Sequence, residues 1–443
     1  MNPSVLPSEL VSLIIHLLDI SSIFSLTRVS KFYTKYIALF KTPADAALDA
    51  ITNRYNNLFK WMLPTADTIN NLSYFIKQIL HRHAIRSNNL DALIYLSKNS
   101  DFVPNESSFV GAAKYGDMEM LKWMHENKYP WNESTYRLAV QEGRFEVIKW
   151  LHQNQCPWDT HTCAAAADYG HFEILKWLRE NGCPWDSLVC SLAAKNGRFE
   201  ILKWLHENGC HWDRWSCTHA ALNGHFEILQ WLHENGCPWD EYTCDGAAQN
   251  GHLEILKWLH ENGCPWDDWT CNRTIENGHL EVLKYLHDNG CPWGDRACMY
   301  AAKHGHLDIL IYLYENGCPW NSWTCMYAAK HGHFEVVEWF ITNFDKYYFN
   351  EYVSSYAVSY GRLDILNDLY QKGFPIDGRS FAAAEKYPVV LKWLTDHNCD
   401  QTIHVIANDA INDDEIIAND AIDDDDDYYY DDYYDDYYDD DYV

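Results

Sequence analysis

Residues 170–186 read Gly-His-Phe-Glu-Ile-Leu-Lys-Trp-Leu-Arg-Glu-Asn-Gly-Cys-Pro-Trp-Asp, and near-copies of this phrase fill residues 116–332 of the 443-residue chain. A Trp returns at the same place in each copy, 27 residues apart, at Trp131, Trp158, Trp185, Trp212, Trp239, Trp266, Trp293 and Trp320. A period of roughly 20–50 residues is typical of stacked-repeat proteins. Such arrays present one long surface rather than one pocket. The repeat therefore favours a binding scaffold.

Each copy reads as two helices joined by a turn. Asp159 is placed to N-cap a first helix that Gly170 ends, and His171 opens a second helix that Gly182 ends. Apolar residues recur at helical spacing in the second helix, which predicts a buried stripe. That stripe is Ile174, Leu175, Trp177 and Leu178.

The 15 cysteines follow the repeat instead of the pattern of a disulfide framework. Two positions of the repeat hold most of the cysteines, and we call each recurring position a column. In one column the cysteine precedes Pro-Trp or His-Trp, and in the other it is the second residue of Thr-Cys or a variant of it; Cys399 belongs to neither. Same-column thiols in helices stacked about 8–10 Å apart are too distant for a disulfide, whereas a bond between the two columns of one repeat stays open. We expect reduced, buried thiols; zinc is the alternative, although no CxxC pair occurs.

The net charge of −30 is concentrated at one end, because residues 406–443 carry 17 Asp or Glu and no Lys or Arg. An acidic array repels phosphates, so we expect no nucleic acid as partner. We find no secretory signal peptide and no apolar run of membrane-spanning length, which predicts a reducing intracellular compartment and no membrane partner. We expect a monomer.

The phrase Ala-Ala-x-x-Gly-His-x-Glu-Ile-Leu-x-x-Leu-x-x-x-Gly-Cys, as at residues 166–183, resembles the ankyrin repeat. Ten copies are marked by Gly116, Gly143, Gly170, Gly197, Gly224, Gly251, Gly278, Gly305, Gly332 and Gly361. The resemblance implies an all-α ankyrin-repeat solenoid over residues 81–400 and protein targets of unknown identity. We expect no enzymatic activity, cofactor or metal, because the chain has neither the His-Glu-x-x-His spacing of zinc peptidases nor a Gly-rich phosphate loop. Here the unit is shorter than usual, so we expect the β-hairpin of the family to be cut to a turn. The Thr-Pro-Leu-His signature is reduced to Thr-Cys.

The 27-residue form rich in Trp and Cys is similar to ankyrin arrays of amoeba-infecting giant DNA viruses. This resemblance implies a role in the host cytoplasm.

Residues 1–45 resemble an F-box, a helical module that docks on a Skp1-type adaptor of a cullin ubiquitin ligase. The matching positions proposed to bind the adaptor are Leu6, Pro7, Leu10, Ile14, Leu17, Ile23, Leu26 and Val29. Residues 46–80 are interpreted as a degenerate helical transition. The resemblance implies a substrate receptor that brings a bound protein to the ligase. Two alternatives stay open: a scaffold or decoy whose head only caps the array, and a structural or virion-associated protein.

Positions that vary among otherwise near-identical copies are candidates for recognition. Three of the 20 Trp residues fall outside the repeated columns, at one variable position, and Tyr or Arg occupies that position in the copies between them. First helices line the concave face of ankyrin arrays, and Trp, Tyr and Arg are the usual residues of binding hot spots. The predicted partner-binding set is Trp215, His219, Tyr242, Asp245, Trp269, Asn272, Arg273, Arg296, Tyr300, Trp323 and Tyr327. The alternative is that these aromatic rings pack on the neighbouring repeat.

Residues 401–443 are different in composition, and residues 423–443 contain only Asp, Tyr and a final Val. Like-charge runs of this kind cannot build a core, so we expect a disordered acidic tail. It could attract a basic partner, accept tyrosine phosphorylation or serve only solubility.

Overall fold

The computed structural model describes residues 72–115, 117–344, 352–374 and 386–397, with isolated positions between 51 and 69 and at 376 and 384. In these ranges the chain is helical and forms no strand. The helices are α1 Tyr74–Arg86, α2 Leu90–Asn99, α3 Glu106–Tyr115, α4 Met118–Glu126, α5 Glu133–Gln141, α6 Phe145–Gln153, α7 Thr160–Asp168, α8 Phe172–Glu180, α9 Ser187–Lys195, α10 Phe199–Glu207, α11 Arg214–Leu222, α12 Phe226–Glu234, α13 Glu241–Gln249, α14 Leu253–Glu261, α15 Asp268–Glu276, α16 Leu280–Asp288, α17 Ala297–Lys303, α18 Leu307–Glu315, α19 Ser322–His331, α20 Phe334–Asn343, α21 Tyr352–Ser359, α22 Leu363–Gln371 and α23 Pro388–Asp396.

The predicted boundaries of the repeat are confirmed in α7 and α8. Asp159 N-caps α7 by accepting from the backbone N–H of Thr162, whose side chain is reciprocally paired with the Asp159 backbone. Gly170 ends α7 in the left-handed region, with φ 78°, and Gly182 follows α8 with φ 85°. Glycine is suited to both positions because a Cβ disfavours positive φ.

The second helices bury the expected aliphatic stripe. Ile174, Leu175 and Leu178 are buried in α8. Trp177, which the sequence analysis placed in the same stripe, is only half-buried, and its ring lies edge-on against Phe145 at 5.9 Å and His152 at 5.4 Å. The indole is wide enough to cover the preceding repeat while keeping one edge in water.

The chain divides into two compact units between Val189 and Cys190, inside α9. Each unit is an ankyrin-like stack of helix pairs. First helices pack on one another in order, α1, α3, α5 and α7 in the first unit and α11, α13, α15, α17, α19 and α21 in the second, and each of these pairs with the second helix that follows it. The expected boundaries at residues 45, 80 and 400 stay predictions. The head and tail segments 1–45 and 401–443 lie outside the described residues.

Neighbouring pairs are joined by the residue that follows the turn glycine. The His171 Nε2–H donates to the carbonyl oxygen of Gln141 at 2.8 Å, 30 residues earlier. His225, His252, His279, His306 and His333 make the same bond in the second unit. Each bond satisfies a carbonyl at the end of the preceding first helix, where helical partners run out.

A thiol hydrogen bond connects each of two short turns between helix pairs to the turn of the preceding repeat. Cys264 donates through its S–H to the carbonyl oxygen of Asp240 at 3.3 Å, and Cys291 does the same to Asp267 at 3.1 Å. These turns stand where the family carries a hairpin, as the repeat length predicted. Among the described helices, none is both long and apolar enough to cross a membrane.

Candidate functional site

The exposed aromatic rings of the predicted partner-binding set share one position in the repeat. Trp269 and Trp323 are each the second residue of a first helix, and 40% and 39% of their surfaces are exposed. Their backbone N–H groups donate to the N-cap side chains of Asp267 and Asn321, which fixes where the rings leave the helix. Arg296 is also exposed, at the N-cap of α17.

Trp215, Tyr242 and Arg214 form a cluster on the first-helix surface that combines aromatic rings with a positive charge. The rings of Trp215 and Tyr242 are stacked with centroids 6.1 Å apart. The guanidinium of Arg214 lies 5.2 Å from the Trp215 centroid and 5.3 Å from that of Tyr242, and Arg214 Nη1 donates to Asp240 Oδ2 at 2.9 Å. Part of this aromatic column therefore packs on the neighbouring repeat, as the alternative interpretation has it, while the cluster keeps Arg214 exposed.

Arg214 was missed by sequence reasoning, although it directly precedes one of the three singular tryptophans.

Five other members of the predicted set are buried. They are His219, Asp245, Asn272, Tyr300 and Tyr327. The Thr270 hydroxyl donates to Asp245 Oδ1 at 2.5 Å, so Asp245 bridges two adjacent first helices. Arg273 is half-buried, and its Nη1 donates to Glu276 Oε2 at 3.2 Å. These residues shape the first-helix surface from beneath, while the rings described above reach into solvent; partner contact by any of the set stays a prediction.

Burial shifts the pKa values of two of these groups in opposite directions. It raises the pKa of Asp245 to about 7, against the opposing effect of the Thr270 hydrogen bond. It lowers the pKa of His219 to about 4, with the positive charge of Lys195 acting in the same direction. The neutral forms are favoured because a low-dielectric interior disfavours charge.

The described cysteines are all buried and free of disulfides. Burial raises the pKa of Cys156 to about 12, with Glu133 adding to the effect. In the second unit the two columns meet, with Cys271 Sγ and Cys291 Sγ 3.3 Å apart. In the described part of the chain, no three His, Cys, Asp or Glu side chains gather as a metal site would require.

The head residues proposed to bind an adaptor, Leu6, Pro7, Leu10, Ile14, Leu17, Ile23, Leu26 and Val29, lie outside the described residues, as does Cys399.

Comparison with protein-family models matches two models of ankyrin repeats. A model of three copies matches residues 244–324, and a model of many copies matches residues 111–156 and 190–233. Comparison with curated proteins gives no match.

Among solved structures, the human ASB11 ankyrin repeat domain is 18% identical over 42% of this chain and 99% of its own, with a TM-score of 0.33. The pentatricopeptide repeat protein PPR10 in complex with an 18-nucleotide psaJ RNA element is 11% identical over 88% of this chain and 67% of its own, with a TM-score of 0.40. PPR10 from maize is 13% identical over 86% of this chain and 66% of its own, with a TM-score of 0.35.

Proposed function

This chain carries ankyrin repeats, and we propose that it is a protein-binding scaffold whose first helices hold a target protein. The observation that carries the proposal is the repeated exposure of Trp269 and Trp323 at the same helical position, two repeats apart. Large rings held half in water at fixed spacing are the groups that protein interfaces use as anchors. The Trp215–Tyr242–Arg214 cluster extends the same surface.

We further propose that the head delivers the target to a host ubiquitin ligase through a Skp1-type adaptor and cullin, in the host cytoplasm. The support for this step is the F-box resemblance of residues 6–29 and the similarity of the repeats to giant-virus arrays. A scaffold or decoy without a ubiquitin link is the alternative, in which the head serves only to cap the stack.

The adaptor step is tested by capture of the full chain from amoebal lysate beside a Leu10→Asp, Ile14→Asp variant. A Skp1–cullin complex that accompanies the first and not the second supports the receptor function. Absence of the adaptor from both, with other proteins retained, contradicts the ubiquitin link and leaves the scaffold.

The target surface is tested separately with Trp269→Ala and Trp323→Ala. Removing one anchor ring should weaken binding of the same target about thirtyfold or more, because hot-spot truncation costs at least ~2 kcal/mol. Tyr169→Ala is the matched control, since it also deletes an exposed ring but at the C-terminal end of α7. Equal capture by all three variants would place the target elsewhere.

A further inference from the structure

Positive charge gathers on the first-helix surface near the end of the array, in a chain of net charge −30. Lys303 ends α17 and Lys330 lies in the last turn of α19, at the same repeat position. The carbonyl oxygen of Lys303 accepts from His333 Nε2 at 2.8 Å. Arg362 Nη2 donates to the carbonyl oxygen of His331 at 3.1 Å. The joints between repeats therefore fix the backbone at Lys303, the backbone next to Lys330 and the guanidinium of Arg362.

These charges act on His331, which follows Lys330 in the sequence and whose carbonyl oxygen accepts from Arg362. Its pKa is lowered to about 4, first by burial and then by Lys330, Lys303, His333 and Arg362. His331 is therefore neutral near pH 7, and the surface carries the charges of two lysines and one arginine. We name Lys303, Lys330 and Arg362 the basic cluster.

A shallow aromatic cleft lies beside the basic cluster, between α19 and α21. It is lined by Trp323, Met326, Tyr327, Lys330 and Tyr356 and is too shallow for a side chain to enter, so a partner can only lie across it. The Nζ of Lys330 stands 5.7 Å from the Tyr327 centroid and 5.6 Å from the Tyr360 centroid. Rings on the walls and an ammonium at the rim suit an aromatic side chain whose neighbours are carboxylates.

The chain itself contains a segment of that chemistry. Residues 423–443 hold 12 Asp and eight Tyr. The rest of the chain is also acidic, so this segment is repelled from most of its surface and attracted to the basic cluster.

The chain between the described array and the acidic segment is long enough for that segment to reach the cleft. The last described residue is His397, and 25 residues separate it from Asp423. A chain of that length reaches up to roughly 80 Å when extended. The cleft lies two helix pairs before α23, a distance of roughly 20 Å at the usual spacing of packed helices.

We propose that Asp423–Val443 docks on its own array, with a tyrosine lying across the aromatic cleft against Trp323 and aspartates against Lys303 and Lys330. The docked segment covers Trp323. Its consequence for recognition, which rests on the proposed function, is that the tail competes with the target at the C-terminal end of the binding surface.

Carbodiimide crosslinking of the full chain tests the docking without any partner. The reagent activates an Asp carboxyl, the Lys Nζ displaces it to form an amide, and the reagent leaves as a urea. An equal mixture of ¹⁴N- and ¹⁵N-labelled chains distinguishes contacts within one chain from contacts between chains. We expect crosslinks from residues 423–441 to Lys303 and Lys330, in peptides of like isotope, that decline at high salt because exposed charges are screened.

Two lysines serve as internal references. Lys257 and Lys284 lie on second helices and pair with Glu254 and Glu281. Tail crosslinks spread evenly over these lysines and the basic cluster would overturn the proposal, as would a predominance of mixed-isotope peptides, which would assign the tail to a second copy.

Lys303→Glu is the matched variant, and its effect is measured as the yield of the tail crosslink to the unchanged Lys330. Reversal of one charge should lower the Lys330 crosslink about fivefold. Lys195→Glu, at the same repeat position in α9, should leave it unchanged. An equal Lys330 yield in both variants would contradict the proposal, and the salt series on the unaltered chain stands even if a variant folds poorly.

Discussion

The imidazole of His252 fills the space beside Gly224: a Cβ at Gly224 would lie 2.8 Å from His252 Cε1. The same ring donates from Nε2 to the carbonyl oxygen of Leu222 at 3.1 Å. Glycine is therefore needed at Gly224 for two reasons: its φ is 74°, and the His252 ring leaves no space for a Cβ. At Gly209, which follows a second helix, only the positive φ applies, since nothing lies within 4 Å of a Cβ there.

This difference predicts unequal effects of the same substitution. Gly224→Asn should lower the free energy of unfolding by well over ~1 kcal/mol, because left-handed strain adds to displacement of the His252 ring. Gly209→Asn should cost about 1 kcal/mol or less, since Asn tolerates positive φ. Lys128 and Gln155 already occupy the position equivalent to Gly209, with φ of 59° and 62°. Urea unfolding followed by circular dichroism measures both, and equal losses would contradict the role given to His252.

The stacked rings of His233 and Trp239 predict a second pair of unequal effects. The ring of His233 stacks on Trp239 at 3.9 Å and meets Trp258 edge-on at 5.5 Å. His233→Ala should destabilise the chain by about 1 kcal/mol, the usual worth of such ring contacts. His233→Arg should cost less, because Arg179 holds the equivalent place with its guanidinium 4.1 Å from the Trp185 centroid. Thermal unfolding compares the two; a larger loss in the Arg variant would show that charge, not stacking, governs this position.

The raised pKa of Asp245 predicts that the free energy of unfolding falls as the pH rises. Its folded-state pKa of about 7 lies above the unfolded value, so the folded state binds more protons between the two. The unfolding free energy therefore falls as pH rises from about 4 to about 7. Asp245→Asn should remove this slope and stabilise the chain at pH 8 by on the order of 1–3 kcal/mol.

Asn272 fills the same position in the next repeat, so the amide is compatible with the fold. Urea midpoints of both proteins from pH 4 to pH 8 provide the measurement. A constant difference across that range would mean that the hydrogen bond from Thr270 matters and the charge does not.

The raised thiol pKa values predict slow alkylation. Cys156, with a pKa of about 12, holds few thiolates at pH 8, and the thiolate is the reactive form. We expect iodoacetamide to label Cys156 at least ~100-fold more slowly in the native chain than in guanidinium chloride, where the pKa returns to about 8.5. Peptide mass spectrometry over time gives both rates, and similar rates would show that the interior opens readily.

The local features of the fold were predictable because each depends on neighbours in sequence. Asp159 as a cap and Gly170 and Gly182 as helix ends follow from the residue types alone. The half-burial of Trp177 could not be predicted from the sequence, because it depends on rings of the preceding repeat.

The candidate surface was predicted less completely, for the same physical reason. Repeat comparison found the exposed Trp269 and Trp323, yet it grouped them with the buried Asp245, since variability does not distinguish a side chain facing solvent from one that bridges two helices. The basic cluster escaped because Arg362 and Lys303 belong to different repeats and approach only through the stacking.

The bond from His252 to Leu222 also bears on how such a gene changes length. Six joints pair a glycine of one repeat with a histidine of the next, and Arg362 takes the place of the histidine opposite Gly332. From Gly143 to Gly332 the glycine recurs every 27 residues. Unequal crossing-over that adds or removes one complete repeat leaves every remaining glycine opposite a side chain that fills its joint. Loss of a single codon within a unit shifts one ring away from its carbonyl. Selection on this joint therefore favours growth and shrinkage of the coding sequence in whole units.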